Sequence, residues 1–154
     1  MITINILCVG NLKEKFWKDA IAEYQKRISA YAKLNIIEVK ESTYDLNQID
    51  KAKRDEAERL KKCLDGHLVA LEIGGKSFTS EQFAQHIQAL QTNGISTITF
   101  LIGGSYGIDK SLSDSCNEKL SFSSFTFPHQ LMRVILTEQI YRAFTILNGK
   151  TYHK

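Results

Sequence analysis

The sequence predicts a single α/β domain: a mainly parallel sheet with helices on both faces. Three observations carry this. The 154 residues are 43% apolar and 24% charged, enough to bury one core of ordinary domain size. Short apolar runs rich in Ile, Leu and Val alternate with longer amphipathic stretches along the whole chain, the pattern of βα units. Glycines close most of the apolar runs, and no repeat, low-complexity tract or linker divides residues 1–154.

Each element follows in order. Ile2–Val9 alternates and ends at Gly10, which predicts a first strand. Phe16, Trp17, Ala20, Ile21, Tyr24 and Ile28 recur at three- and four-residue spacings, so Lys13–Tyr31 is expected to be a helix with one apolar face. Leu34–Val39 is a second strand. Ile49–Leu64 is a charged helix with a thin apolar stripe, its charges forming a solvated face. His67–Ile73 is a third strand, closed by Gly74-Gly75. Thr79-Ser80-Glu81-Gln82 has the form of a capping box opening a helix to Gln91. Thr97–Ile102 is a fourth strand closed by Gly103-Gly104. Asp109 caps a short helix to Lys119, and Ser123–Phe127 is a short fifth strand. Pro128 then opens a last helix, His129 to Leu147.

Composition excludes several classes. One proline and nine glycines rule out collagen-like and Pro-rich chains. No window approaches the ~18 uninterrupted apolar residues of a membrane span. The start, Met1-Ile2-Thr3-Ile4-Asn5-Ile6, lacks a basic region followed by an apolar one, so a cytoplasmic protein is expected. Cys8, Cys63 and Cys116 are odd in number and far apart, without Cys-x-x-Cys or Cys/His spacing. Neither a disulfide framework nor a bound metal is expected. The net charge of +3 permits nucleic-acid binding without arguing for it. Its distribution says more. Between Pro128 and Lys154, Arg133, Arg142, Lys150 and Lys154 face one acid, Glu138, with His129 and His153 beside them.

Parallel sheets bind ligands outside the carboxyl ends of their strands, so the residues after Ile73, Ile102 and Phe127 are the places for chemistry. Leu101-Ile102-Gly103-Gly104-Ser105-Tyr106-Gly107 has three glycines within five residues, which permits close approach of a ligand to backbone amides. It is neither the G-x-G-x-x-G of dinucleotide sites nor a Walker loop, and a tight strand-to-helix turn explains it equally well. Glu72 and Lys76 flank a similar turn. Leu120–Arg133 alternates Ser and Thr with Phe122, Phe125 and Phe127, a mixture of apolar walls and polar contacts suited to an adenine pocket. His129 and Arg133 share a helical face. The last helix is apolar on more than one side through Leu131, Val134, Ile135, Ile140, Phe144 and Leu147, which calls for its own sheet and a second subunit. Terminal Tyr152-His153-Lys154 can stack on a base and meet a phosphate.

Taken together these runs resemble a known family. Leu101-Ile102-Gly103-Gly104, Thr126-Phe127-Pro128-His129-Gln130-Leu131-Met132-Arg133-Val134, Glu138-Gln139-Ile140-Tyr141-Arg142-Ala143-Phe144 and Tyr152-His153-Lys154 are similar to the RlmH family. Ile6-Leu7-Cys8-Val9-Gly10 and Leu71-Glu72-Ile73-Gly74-Gly75-Lys76 fit it too, so the resemblance runs end to end. It implies a SPOUT-class methyltransferase that uses S-adenosylmethionine to methylate N3 of a pseudouridine in large-subunit ribosomal RNA. It further implies a C-terminal trefoil knot and a homodimer acting on assembled ribosomes, without membrane or metal. By the same resemblance Leu71, Gly103, Gly104, Phe122, Ser123, Ser124, Phe125, Thr126 and Phe127 bind the cofactor. His129, Arg133, Arg142, Tyr152 and His153 are the catalytic and RNA-facing residues, some of them from the second subunit. The competing readings are a non-catalytic RNA-binding or ribosome-docking module and a nucleotide-dependent oxidoreductase, the latter weakened by the failed dinucleotide fingerprint.

Overall fold

The computed structural model describes residues 1–43 and 45–154. Five strands form one sheet in the order β2-β1-β4-β3-β5, with every neighbouring pair parallel. They are β1 (Thr3–Val9), β2 (Lys33–Val39), β3 (His67–Ser77), β4 (Thr97–Ile102) and β5 (Glu118–Ser121). The helices are α1 (Lys15–Ile28), α2 (Ile49–Lys61), α3 (Ser80–Thr92), α4 (Lys110–Ser115) and α5 (His129–Leu147), with a short 3₁₀ turn at Leu46–Gln48.

Two core clusters show how the alternation in β1 is used. Ile4, Ile6 and Cys8 pack on one face with Ile28 of α1, Phe83, Ala84 and Ile87 of α3, and Leu136, Ile140, Ala143 and Phe144 of α5. Leu7 and Val9 pack on the other with Ala57 and Leu60 of α2 and Leu112 of α4. The period of two in a strand sends successive side chains to opposite cores, and a parallel sheet covered on both faces is the consequence. Among the described residues no helix is long and apolar enough to cross a membrane.

The capping box is present: Thr79 Oγ1 accepts from the Gln82 amide at 3.1 Å and Gln82 Oε1 accepts from the Thr79 amide at 2.9 Å. Asp109 caps α4 through the Ser111 amide. Pro128 precedes α5, whose bounds are those expected.

Three expectations are corrected. The helix expected to reach Lys119 stops at Ser115, because the chain turns extended at Cys116 and docks on β3 as β5. There Asn117 Oδ1 accepts from the Leu68 amide at 2.7 Å. The strand expected at Ser123–Phe127 is a loop instead. The Ser123 hydroxyl accepts from the Phe125 amide at 3.0 Å, a local turn that competes with a strand ladder. Nor do Gly74-Gly75 close β3. The strand bulges after Leu71 and rejoins at Lys76, so that Leu120 pairs with both. Gly75 sits against β5 so closely that a Cβ would meet Leu120 backbone at 2.7 Å.

Candidate active site

The carboxyl ends of β3, β4 and β5 open into a cavity of roughly 440 Å³. Its walls come from three loops. The β3 bulge gives Leu71, Glu72 and Ile73; the loop after β4 gives Gly103 through Ile108; the segment after β5 gives Phe122, Ser123, Phe125, Thr126 and Phe127. His129 and Met132 of α5 complete it. The glycine loop is shaped for this close packing. A Cβ on Gly103 would meet the Gly107 backbone at 2.4 Å, and Gly107 takes φ +85°, a conformation open mainly to glycine. The Gly107 amide donates to the Gly104 carbonyl at 3.0 Å, which tightens the turn. The apolar walls and few polar side chains suit a bound small molecule.

Of the expected cofactor residues, Leu71, Gly103, Gly104, Phe122, Ser123, Phe125, Thr126 and Phe127 line this cavity. Ser124 is exposed and does not. Sequence reasoning did not single out Ile108 or Met132. Met132 had a signal, since it lies three residues after His129 and shares its helical face. The cavity mouth is apolar and exposed: Phe125 is 79% accessible, Ile73 54% and Tyr106 47%.

The five expected catalytic residues fall into three places. His129 lines the cavity. It is half-buried, and burial lowers its pKa from the ordinary imidazole value, outweighing the opposing pull of Glu41. Its ring is therefore neutral at neutral pH.

Arg133, expected to face RNA, is completely buried. Nη1 donates to Glu38 Oε2 at 2.7 Å, and Nη2 donates to the carbonyls of Val9 at 3.1 Å and Gly10 at 2.6 Å. Its guanidinium ties α5 to the ends of β1 and β2, so its role is internal.

Arg142, Tyr152 and His153 gather elsewhere. Thirteen residues of helix separate Arg142 from His129, about 20 Å at 1.5 Å per residue. Glu138 is the hub here. It accepts from Arg142 Nε at 3.1 Å and Nη2 at 2.5 Å, and from the Tyr152 hydroxyl at 3.0 Å. Burial, then the bond to Glu138, pushes the Tyr152 phenol up to about 12, so it stays protonated. Arg142 also lies 4.8 Å from the centre of the Tyr152 ring. His153 is held at both nitrogens. Arg142 Nη1 is 3.1 Å from its Nδ1, and Glu81 Oε1 is 2.7 Å from its Nε2. Because a guanidinium only donates, Nδ1 must accept and Nε2 must carry the proton toward Glu81. Glu138 and Arg142, one helical turn apart on α5, are thus the centre of a network folding the C-terminus onto α3 and α5.

Comparison with known proteins decides the family. Residues 2–153 match the family model described as "Predicted SPOUT methyltransferase". The chain belongs to the SPOUT methyltransferase family. A "Putative ribosomal RNA large subunit methyltransferase H" of Methanococcus maripaludis is 52% identical, over 99% of this chain and 100% of that protein. One of the same description from Methanococcus vannielii is 49% identical over the same shares. The resemblance read from the sequence motifs therefore stands. Among solved structures, a "probable methylase family protein" from Haemophilus influenzae superposes with a TM-score of 0.61 at 11% identity, over 98% of this chain and 70% of that one. At that identity the likeness concerns the fold alone.

Proposed function

We propose that this SPOUT protein is an S-adenosylmethionine-dependent methyltransferase of the cytoplasm. Its substrate in this reading is N3 of a pseudouridine in large-subunit ribosomal RNA, methylated on assembled ribosomes by a homodimer. The observation that carries the reading is the cavity at the strand ends. In a chain of this family, three backbone loops and His129 enclose a site of cofactor size. The residues fit the group. Phe122, Phe127 and Leu71 offer flat and aliphatic walls to an adenine, and Ser123, Thr126 and the glycine-loop amides offer polar contacts. The trefoil knot implied by the resemblance involves the same loops.

Bound there, S-adenosylmethionine supplies an electrophilic methyl group on a sulfonium. The chain's part is positioning and proton handling. N3 of a uracil-type base carries a proton that must leave before or during attack. His129, neutral and at the cavity wall, is the base assigned to it. His153 is not assigned this role, since Arg142 and Glu81 already engage both of its ring nitrogens. Arg142, its charge partly answered by Glu138, is assigned to the anion developing on the base. Some 20 Å of helix from His129, it acts in the cavity of the second subunit. The exposed rim of Ile73, Tyr106 and Phe125 supports such a dimer, being apolar surface that a partner would cover.

Calorimetry with S-adenosylmethionine, paired with methyl transfer to large subunits, whole ribosomes and a naked RNA hairpin, tests the reading. Saturable cofactor binding with transfer to ribosomal particles is expected. Absence of cofactor binding would leave the docking-module reading, and efficient methylation of the hairpin would overturn the requirement for an assembled substrate.

A further inference from the structure

A second cluster of chemically capable side chains lies away from the cavity, at the amino ends of the strands. His67 opens β3, Glu118 opens β5, and His86 stands in α3. His67 Nε2 is 2.5 Å from Glu118 Oε2, and His86 Nε2 is 2.8 Å from both oxygens of the same carboxylate. All three ligand atoms lie within 4.8 Å of one another. We propose that His67, His86 and Glu118 form a binding site for one borderline transition-metal dication of the Zn²⁺ class, which clamps β5 to β3 and α3.

The donor set sets the class of ion. Two imidazole nitrogens and one carboxylate suit Zn²⁺ and its neighbours, whereas Mg²⁺ and Ca²⁺ prefer oxygen throughout. Three protein ligands leave at least one position for water, and the side chains are accessible enough for that, at 15% for His67, 22% for Glu118 and 30% for His86. The distances between ligands are those of hydrogen bonds, with both imidazoles donating to the carboxylate. Tetrahedral coordination at about 2.0–2.2 Å spaces ligand atoms about 3.3 Å apart. The ion therefore needs the carboxylate and imidazole atoms to separate by about 0.5–0.8 Å, and each imidazole must offer Nε2 as a lone pair. The surroundings restrict how far the ligands stray. The Phe78 ring stacks on His86 at 5.1 Å. Val69, Phe83 and Leu120 share the apolar cavity that His86 and Glu118 line, and an apolar shell strengthens ligand–ion attraction. The clamp has something to hold, because β5 is a four-residue edge strand and two residues after Glu118 it reaches the cavity-lining Leu120. The inference stands apart from the methyltransferase reading, and it departs from the sequence-based expectation of no metal.

The test uses the untagged full chain, stripped with chelator and titrated with Zn²⁺ by calorimetry and with Co²⁺ by visible absorption. One saturable ion per chain, a raised Tm and cobalt bands of low-symmetry coordination are expected. His86→Gln and Glu118→Gln should each weaken binding by about tenfold or more, while Cys63→Ser leaves it unchanged. Should Glu118→Gln fail to fold, His86→Gln, the most exposed ligand, decides alone. No saturable binding to the native chain would overturn the proposal. So would unaltered affinity in His86→Gln, or loss of binding in Cys63→Ser.

Discussion

At the scale of single residues, position and solvation separate side chains that the sequence presented as a set. His129 and Arg133 are one helical turn apart, yet one lines a cavity and the other is sealed between α5 and the ends of β1 and β2. Removing the buried guanidinium leaves the Val9 and Gly10 carbonyls without their donor and Glu38 without its cation. Arg133→Met is therefore expected to cost about 3 kcal/mol, read as a shift of the urea midpoint at unchanged slope. An unshifted midpoint would mean that the pair contributes nothing net. For His129 the lowered pKa fixes a sign. A base must be unprotonated, and burial keeps this ring unprotonated to lower pH than an ordinary imidazole. As pH falls, kcat/KM should hold through the usual imidazole value near 6.5 and decline only below it. His129→Gln should lower kcat by about a hundredfold and abolish that acid limb. A limb that survives the substitution assigns the titration to another group. The sequence placed a histidine at the right loop, but burial depends on packing from β3, β4 and β5 together, and no local pattern carries that.

At the scale of elements, legibility followed how locally each element is determined. The capping box at Thr79 and the bounds of α5 were readable because neighbouring residues decide them. Thr79→Ala should accordingly cost about 1 kcal/mol of stability, measured by denaturation, and leave cofactor affinity alone. The position of β5 was not readable. The alternating phenylalanines of Phe122–Phe127 imitate a strand, whereas the true strand, Glu118–Ser121, begins with two charged residues and is held by partners about 50 residues back on β3. The cluster of His67, His86 and Glu118 was hidden for the same reason, since three separate elements bring it together. The glycine loop was visible as a motif, but turn and ligand site remained equal readings until the cavity was seen. Its prediction distinguishes two glycines. Gly103→Ala drives a Cβ into Gly107 backbone and should weaken cofactor binding by about tenfold or more, while Gly74→Ala meets nothing within 4 Å and should leave binding unchanged. Equal effects in calorimetry would show that loop shape does not govern the site.

At the scale of the whole molecule, the net charge is only +3, with the basic excess concentrated between Pro128 and Lys154. That excess is partly answered by Glu138 and Glu38, which hold Arg142 and Arg133. What the single chain lacks is proximity: the cavity with His129 and the cluster of Arg142, Tyr152 and His153 occupy different ends of α5. A homodimer resolves this if each cavity faces its partner's cluster, because an interface related by two-fold symmetry forms both such pairings at once. The arrangement predicts complementation. A dimer of one His129→Gln chain and one Arg142→Ala chain carries both defects in one site and none in the other. Mixing two inactive homodimers under conditions that exchange subunits should restore methyl transfer, approaching about a quarter of the native sites when pairing is random. If each chain instead built its site alone, every site in the mixture would keep one defect. No activity would return, however completely the subunits exchanged.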